Sequence, residues 1–213
     1  MKDLLIDLDN TIYSESSRIF DQIDLKMKNF ISSELKVNKK EAYAIQKKYF
    51  LENGTTLRGL MLYHDIKPDK FLKYVHDINL DSIKKNSSLE KELVRFKGRK
   101  IIFTNGTRDH AERVLRKVGV FDKFNDIFDI KDASYIPKPE TITYEKVVNK
   151  YKLIPHNTVM IDDIVANLIT AKKIGMSTVL VGNIDSEKNK DFIDHAFKNL
   201  ALIIKKINDK DIF

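Results

Sequence analysis

The sequence predicts an α/β chain: a doubly wound, mostly parallel sheet with an all-helical segment inserted after its first strand. Three observations carry that prediction. Short apolar runs end abruptly in polar or acidic residues. Strand-like and helix-like patterns alternate from residue 100 to 182. Residues 14–88 interrupt this order with helical spacing alone.

Taken in order, Leu4-Leu5-Ile6 reads as a buried strand that delivers Asp7-Leu8-Asp9-Asn10-Thr11 at its carboxyl end. Ile19, Phe20, Ile23, Met27, Phe30, Ile31 and Leu35 trace one face of a long helix. Asn38 and Glu41 have capping-box spacing for a second helix, which Asn53-Gly54 would stop. Tyr43, Tyr49 and Phe50 are expected in the core of this helical segment. Leu57, Leu60 and Met61 suggest a third helix, and Pro68 opens a fourth with Phe71, Leu72 and Val75 inward. Lys100-Ile101-Ile102-Phe103 is the next strand, ending in Thr104-Asn105-Gly106. Ala111, Val114, Leu115 and Val118 then follow helix spacing up to Gly119. A weaker strand is expected at 127–130, and a helix after Pro137-Lys138-Pro139. Thr158-Val159-Met160-Ile161 runs into Asp162-Asp163, and Ile164, Leu168 and Ala171 continue as a helix closed by Gly175. Ser177 to Val181 makes a last strand ending in Gly182-Asn183, and 192–207 is expected to be one amphipathic helix.

A chain of 213 residues that is 42% hydrophobic can build one core, with or without an insertion. The expected division is a core domain of residues 1–13 and 89–213 and a helical domain of residues 14–88. The absence of cysteine excludes a disulfide framework and thiolate metal sites. Asp3, Asp7 and Asp9 leave no secretory leader pattern at the start, and no apolar run approaches the roughly 20 residues of a membrane helix. A cytoplasmic location and no membrane partner are the expectation.

The net charge of +7 invites a nucleic-acid reading, which its distribution opposes. Residues 1–13 are net −2, residues 14–88 net +4 and residues 89–213 net +5, so the excess is dispersed. Of 38 basic residues only 7 are Arg, the residue whose planar fork suits phosphate and base edges. A solvated, Lys-rich surface with no nucleic-acid partner follows.

The chemistry gathers at strand ends. Asp7 and Asp9, two residues apart, repel one another unless a cation or proton intervenes; alone they also fit an acidic strand end. Asp162-Asp163 ends another strand of the same sheet, and together the pairs make an oxygen-rich site suited to Mg²⁺. One Asp there also fits a helix cap before Ile164. Thr104-Asn105-Gly106 offers a hydroxyl and N–H groups to a phosphate oxygen, or simply a turn. Lys138 sits between two prolines. The order acid pair, Thr, Lys, acid pair specifies a metal, a phosphate cradle and a nucleophile.

Asp7-Leu8-Asp9-Asn10-Thr11, Thr104-Asn105, Lys138-Pro139 and Asp162-Asp163 resemble, in order, the four motifs of the haloacid dehalogenase-like hydrolases. The helical segment occupies the place of that superfamily's first type of cap. Asp9 to Tyr13, Gly54 to Leu60, and Ile161-Asp162-Asp163 followed by Asn167-Leu168 look like the pyrimidine 5′-nucleotidase branch. The resemblance implies that Asp7 attacks phosphorus, forming an aspartyl-phosphate, and that Asp9 serves as acid and then base. It implies that Thr104 and the Asn105 amide hold phosphoryl oxygens and that Lys138 neutralises charge. Mg²⁺ would be held by Asp7, the Asp9 carbonyl and Asp163, with Asp162 direct or through water. Tyr13, Thr55, Thr56 and Arg58 are candidate substrate contacts. Asn10 stands where many relatives have Gly, Ile164 where Ser is frequent, and Asn167 where a third acid would deepen the charge.

The implied activity is Mg²⁺-dependent hydrolysis of a phosphomonoester, a pyrimidine nucleoside 5′-monophosphate first among candidates. Another small phosphate ester, a sugar phosphomutase on the same fold, and a binding module without turnover are the alternatives. The partner is a small phosphorylated metabolite; the sequence is silent on oligomeric state. His64, His76, His110, His156 and His195 show no metal-ligand spacing; His110, near the Thr104 loop, reads as packing on or capping its own helix, with a substrate contact as the alternative.

Overall fold

The computed structural model describes residues 2–182 and 191–213. Six strands form one sheet: β1 (Asp3–Ile6), β2 (Lys100–Phe103), β3 (Asp126–Phe128), β4 (Thr158–Asp162), β5 (Ser177–Val181) and β6 (His195–Phe197). Their order is β3-β2-β1-β4-β5-β6, and every neighbouring pair is parallel. The chain therefore winds outward from β1 to one edge, crosses back, and winds to the other. Its direction reverses between β1 and β4, the place where sheets of this kind bind ligands beyond the strand ends.

Alternation along the strands divides the interior in two. Leu4, Ile6, Ile102, Val159, Ile161 and Val179 face one side, where they pack with α5 (Ser87–Arg95), α6 (Arg108–Val118) and α9 (Leu200–Asn208). Leu5, Ile101, Phe103, Met160 and Leu180 face the other, against α7 (Thr141–Tyr151) and α8 (Val165–Lys173). Both faces are covered, which is why the strands read as continuous apolar runs.

Between β1 and β2 lie α1 (Ile19–Leu35), α2 (Lys39–Asn53), α3 (Thr56–His64) and α4 (Pro68–Val75). The Asn38–Glu41 capping box is present, Gly54 ends α2 at φ 77°, and Pro68 opens α4. The apolar cluster continues without a break from the sheet face through Leu8, Ile12 and Tyr13 into these helices.

Four expectations change. The 192–207 region is not one helix: His195–Phe197 is β6, hydrogen-bonded to the edge of β5, and the helix starts only after Asn199, whose side chain caps the Leu202 N–H. Helix α5, capped by Asn86, lies across the expected domain boundary, and residue spacing had not singled it out. β3 stops at Phe128, and Asp129 instead turns its carboxylate onto the N–H groups of Arg108, Lys131 and Asp132. Of the three aromatics expected in the helical core, only Tyr49 is buried, because Ala42, Gln46 and Tyr49 share the inward face and Tyr43 and Phe50 point away from it. Asn183 lies outside the described residues.

Helices α2 and α3 meet where Gly59 faces the Tyr49 ring. A Cβ on Gly59 would lie 2.3 Å from Tyr49 Cγ. Gly59→Ala is therefore expected to destabilise the chain by about 2–3 kcal/mol despite the better helix propensity of Ala, read from urea unfolding midpoints. A neutral or stabilising substitution would show that the two helices separate freely.

Candidate active site

The strand register brings the sequence motifs together. Ile6 pairs with Ile102 on one side and Ile161 on the other, so Asp7, Phe103-Thr104 and Asp162 emerge side by side. The Asp7 N–H still donates to the Ile161 carbonyl at 2.9 Å, which holds the loop as an extension of the strand. Asn10 follows at φ 56°, a left-handed conformation that Gly and Asn both tolerate.

Lys138 is the centre of the cluster and is 1% exposed. Its ammonium donates to Asp7 Oδ1 at 2.8 Å, Asp162 Oδ2 at 2.8 Å and the Phe103 carbonyl at 2.7 Å. Three donors meet three acceptors. Burial works against the charged ammonium, but Asp162 and Asp7 outweigh it and raise its pKa. The lysine loop is fixed from two directions. Asn105 clasps it, accepting from the Lys138 N–H and donating to the Lys138 carbonyl. Gly54, at the end of α2, lies against Pro137, the Lys138 carbonyl and Pro139, where a Cβ would come within 3.3 Å of each.

One ammonium does not balance the carboxylates around it. Burial raises Asp7 well above the ordinary range; Lys138 opposes that shift, and Asp162, Asp163 and Asp9 add to it. Asp163 is pushed up to about 7 by burial and by Asp162, against the pull of Lys138. Asp7, Asp162 and Asp163 can each offer an oxygen within 4.8 Å of the others, a hard, oxygen-only donor set short of positive charge. It fits a divalent cation. Asp162 is the least free of the three: Lys138 and Asn167 hold one oxygen, Asn167 and the Ile164 N–H the other. Its bond to the Ile164 N–H is the cap-like contact the sequence allowed. Asp163 faces the cavity, and Asn10 works against its upward shift.

Asp9 faces a different set of groups. Its Oδ1 accepts from Tyr13 Oη at 2.7 Å and lies 2.9 Å from His110 Nε2. Burial pushes Asp9 upward, but the His110 imidazole and then the Tyr13 hydroxyl outweigh it and hold its carboxyl below the usual range. His110 is buried beneath the ring of His76, stacked at 4.4 Å and 6° between planes. The sequence reading puts His110 near the Thr104 loop, as a substrate contact or as packing on its own helix, and not on Asp9. Among the residues that reading missed, it has the most direct contact with the predicted acid pair. No spacing rule connects positions 101 residues apart.

A cavity of about 620 Å³ opens from this cluster towards the helical segment. Asp7, Asp9, Thr104, Asn105, Lys138 and Asp163 line one end, and Phe20, Ile23, Met27, Phe50, Phe71 and Leu72 line the apolar wall opposite. Asp24, Gln46 and Lys47 add polar groups there, linked through Asp24 Oδ1. Thr104 accepts the Gly106 N–H, leaving its hydroxyl hydrogen to donate. The Asn105 side chain is committed to the lysine loop, so its backbone N–H is what it can offer an anion.

Of the candidate substrate contacts, Thr55 and Thr56 line the cavity, although the Thr55 hydroxyl caps the Arg58 N–H and the Thr56 hydroxyl donates to the Gln46 carbonyl. Tyr13 and Arg58 do not line it. Tyr13 is turned back onto Asp9 because the Ile12 N–H bonds the Leu8 carbonyl, a helical turn that puts residues four apart on one side. Arg58 lies in the first turn of α3, where its N–H donates to the Thr55 cap.

Residues 1–175 match the family model for haloacid dehalogenase-like hydrolases. The chain belongs to that family. The hydrolase is 27% identical over 227 aligned positions to Phosphate metabolism protein 8 of Saccharomyces cerevisiae, an alignment covering 97% of this chain and 70% of that protein. Its fold is similar to that of a HAD phosphatase from Thermococcus onnurineus, with a TM-score of 0.62, 21% identity, and coverage of 99% and 97% of the two chains. It is also similar to that of L-2-haloacid dehalogenase from Xanthobacter autotrophicus, at 0.58 and 12%, covering 98% and 99%. Among the described residues, no helix is long and apolar enough to cross a membrane.

The stacked histidines give the hydrolase an acid sensitivity. Burial, with His110 and Arg113 nearby and Asp9 opposing, holds His76 down to about 3. An unfolded chain protonates it near 6.5. Between those values the unfolded form binds more protons, so stability falls as pH drops. This one group is expected to cost about 2 kcal/mol from pH 6.5 to 5. Urea midpoints of the wild type and His76→Phe should converge over that range; parallel curves would place the imidazole in water.

Proposed function

We propose that the chain is a Mg²⁺-dependent phosphomonoesterase acting through an aspartyl-phosphate on Asp7, with pyrimidine nucleoside 5′-monophosphates as its first candidate substrates. The observation that carries this reading is the different company of two carboxylates two residues apart: Asp7 on the Lys138 ammonium and Asp9 on His110 and Tyr13. That difference supports reading Asp7 as the nucleophile and Asp9 as the proton carrier.

An Asp7 oxygen attacks phosphorus, and the ester P–O bond breaks as the new one forms. Asp9, protonated, gives its proton to the departing alkoxide, which leaves as an alcohol. Asp9 then takes a proton from water as that oxygen attacks the phosphoryl group, regenerating Asp7 and releasing inorganic phosphate. Lys138, the Thr104 hydroxyl and the Asn105 N–H hold charge on phosphoryl oxygens through both transfers. Asp7, Asp163 and the Asp9 carbonyl would hold Mg²⁺, whose chemistry when bound is to offset the negative charge of the carboxylates and the phosphate. Asp162, occupied by Lys138 and Asn167, would keep those groups in place. The cavity's volume and apolar wall suit a nucleoside better than a bare phosphate, and the resemblance to the nucleotidase branch favours a pyrimidine.

Phosphate release is to be measured over a panel of nucleotides and sugar phosphates, with and without chelator. Activity should vanish with chelation, return with Mg²⁺, and be highest on pyrimidine nucleotides. Asp7→Asn should lower kcat about a thousandfold or more. Turnover that survives chelation or Asp7→Asn would sink the mechanism; preference for a sugar phosphate would sink the substrate assignment alone.

A further inference from the structure

We infer that His110 is a positioning residue for Asp9: with Tyr13 it fixes one carboxylate oxygen, leaving the other to exchange the proton with the substrate oxygen. The inference rests on the assignment of Asp9 as acid and base. Nε2 lies 2.9 Å from Asp9 Oδ1, and Nδ1 is buried with no hydrogen-bond partner among the described residues. A neutral ring with its hydrogen on Nδ1 would set a lone pair of Nε2 against the carboxylate oxygen and bury an unused donor. The hydrogen therefore belongs on Nε2, donating to Asp9. A histidine placed only to support its helix would satisfy both nitrogens locally; this one directs its single side-chain hydrogen bond at a residue 101 positions away.

The ring cannot easily turn from that task. His76, on the helical segment, stacks on it and is held in turn by Thr107 at 3.1 Å. Thr107 also caps the helix that carries His110, accepting its N–H. Tyr13 donates to the same Oδ1 from the turn that carries Asp9 itself. Both donors converge on one oxygen, so Oδ2 is the atom left to handle the proton.

The test separates leaving groups. The ratio kcat/KM reports events up to phosphoryl transfer to Asp7, where an alkyl alcohol needs a proton and p-nitrophenolate does not. The two esters are p-nitrophenyl phosphate and the alkyl phosphate that the wild type hydrolyses best. His110→Ala should lower kcat/KM about a hundredfold on the alkyl ester and less than about threefold on the aryl ester. His110→Gln, which restores an N–H donor, should recover at least about tenfold on the alkyl ester. Tyr13→Phe, which keeps the packing and removes the second donor, should show the same selective loss at smaller amplitude and serves should His110→Ala not fold. Equal losses on both esters, no loss on either, or no recovery in folded His110→Gln would overturn the role. A wild-type chain that hydrolyses neither ester overturns the phosphatase reading, and this role with it; variant failures beside an active wild type overturn only the role.

Discussion

The ammonium of Lys138 is closed in by Asp7, Asp162 and the Phe103 carbonyl, each at 2.7–2.8 Å and each from the end of a different strand. Buried charge of either sign alone would be costly; removing one partner of such a set leaves the other uncompensated. Much of the surrounding geometry keeps this arrangement in place. The parallel register aligns three strand ends, Asn105 clasps the lysine loop, Gly54 allows α2 to rest on it, and Asn167 anchors Asp162. Fold and site are thus joined at one cation.

That cation also sets what the site lacks. It reaches Asp7 and Asp162 but leaves Asp163 facing the cavity, with its carboxyl pushed up to about 7 by burial and its neighbours. A dianionic phosphate would approach such a cluster only with further positive charge in place. The dispersed surface lysines do not meet this local need, because beyond about a Debye length their field is screened. The overall charge of +7 is therefore a property of the surface, while recognition of an anion depends on a few buried groups.

Strand ends were the most legible part of the sequence. An apolar run with an acidic terminus identifies both an element and the edge it points to, so Asp7, Thr104 and Asp162-Asp163 could be placed before any contact was known. Capping residues were legible for a similar reason: Asn38 with Glu41, and Pro68, act on their own backbone. Strand β6 was not, since three residues are too few for a period and its pairing comes from the exposed edge of β5. Tyr13 is legible in principle, because a turn over residues 8–12 puts positions 9 and 13 together; its place just after the motif suggests a substrate contact instead. His110 left no local sign. Its meeting with Asp9 depends on α6 beginning beside the end of β1, a consequence of strand order rather than residue spacing.

Asp9 shows why its partners matter together. Two donors on Oδ1 favour the carboxylate, which suits a base, whereas the first step of the proposed mechanism asks Asp9 for a proton. A phosphate dianion arriving beside Asp9 acts in the opposite sense, since like charge raises a carboxyl's proton affinity. A carboxyl held only by donors would stay ionised, and one left in an apolar pocket would hold its proton too firmly to act as base. In the proposed mechanism Asp9 has to lie between those limits, and the charge of the bound ester would be what shifts it. In that mechanism the dependence would tie proton delivery to the presence of an ester, with Oδ1 held by its two donors and Oδ2 left to exchange the proton.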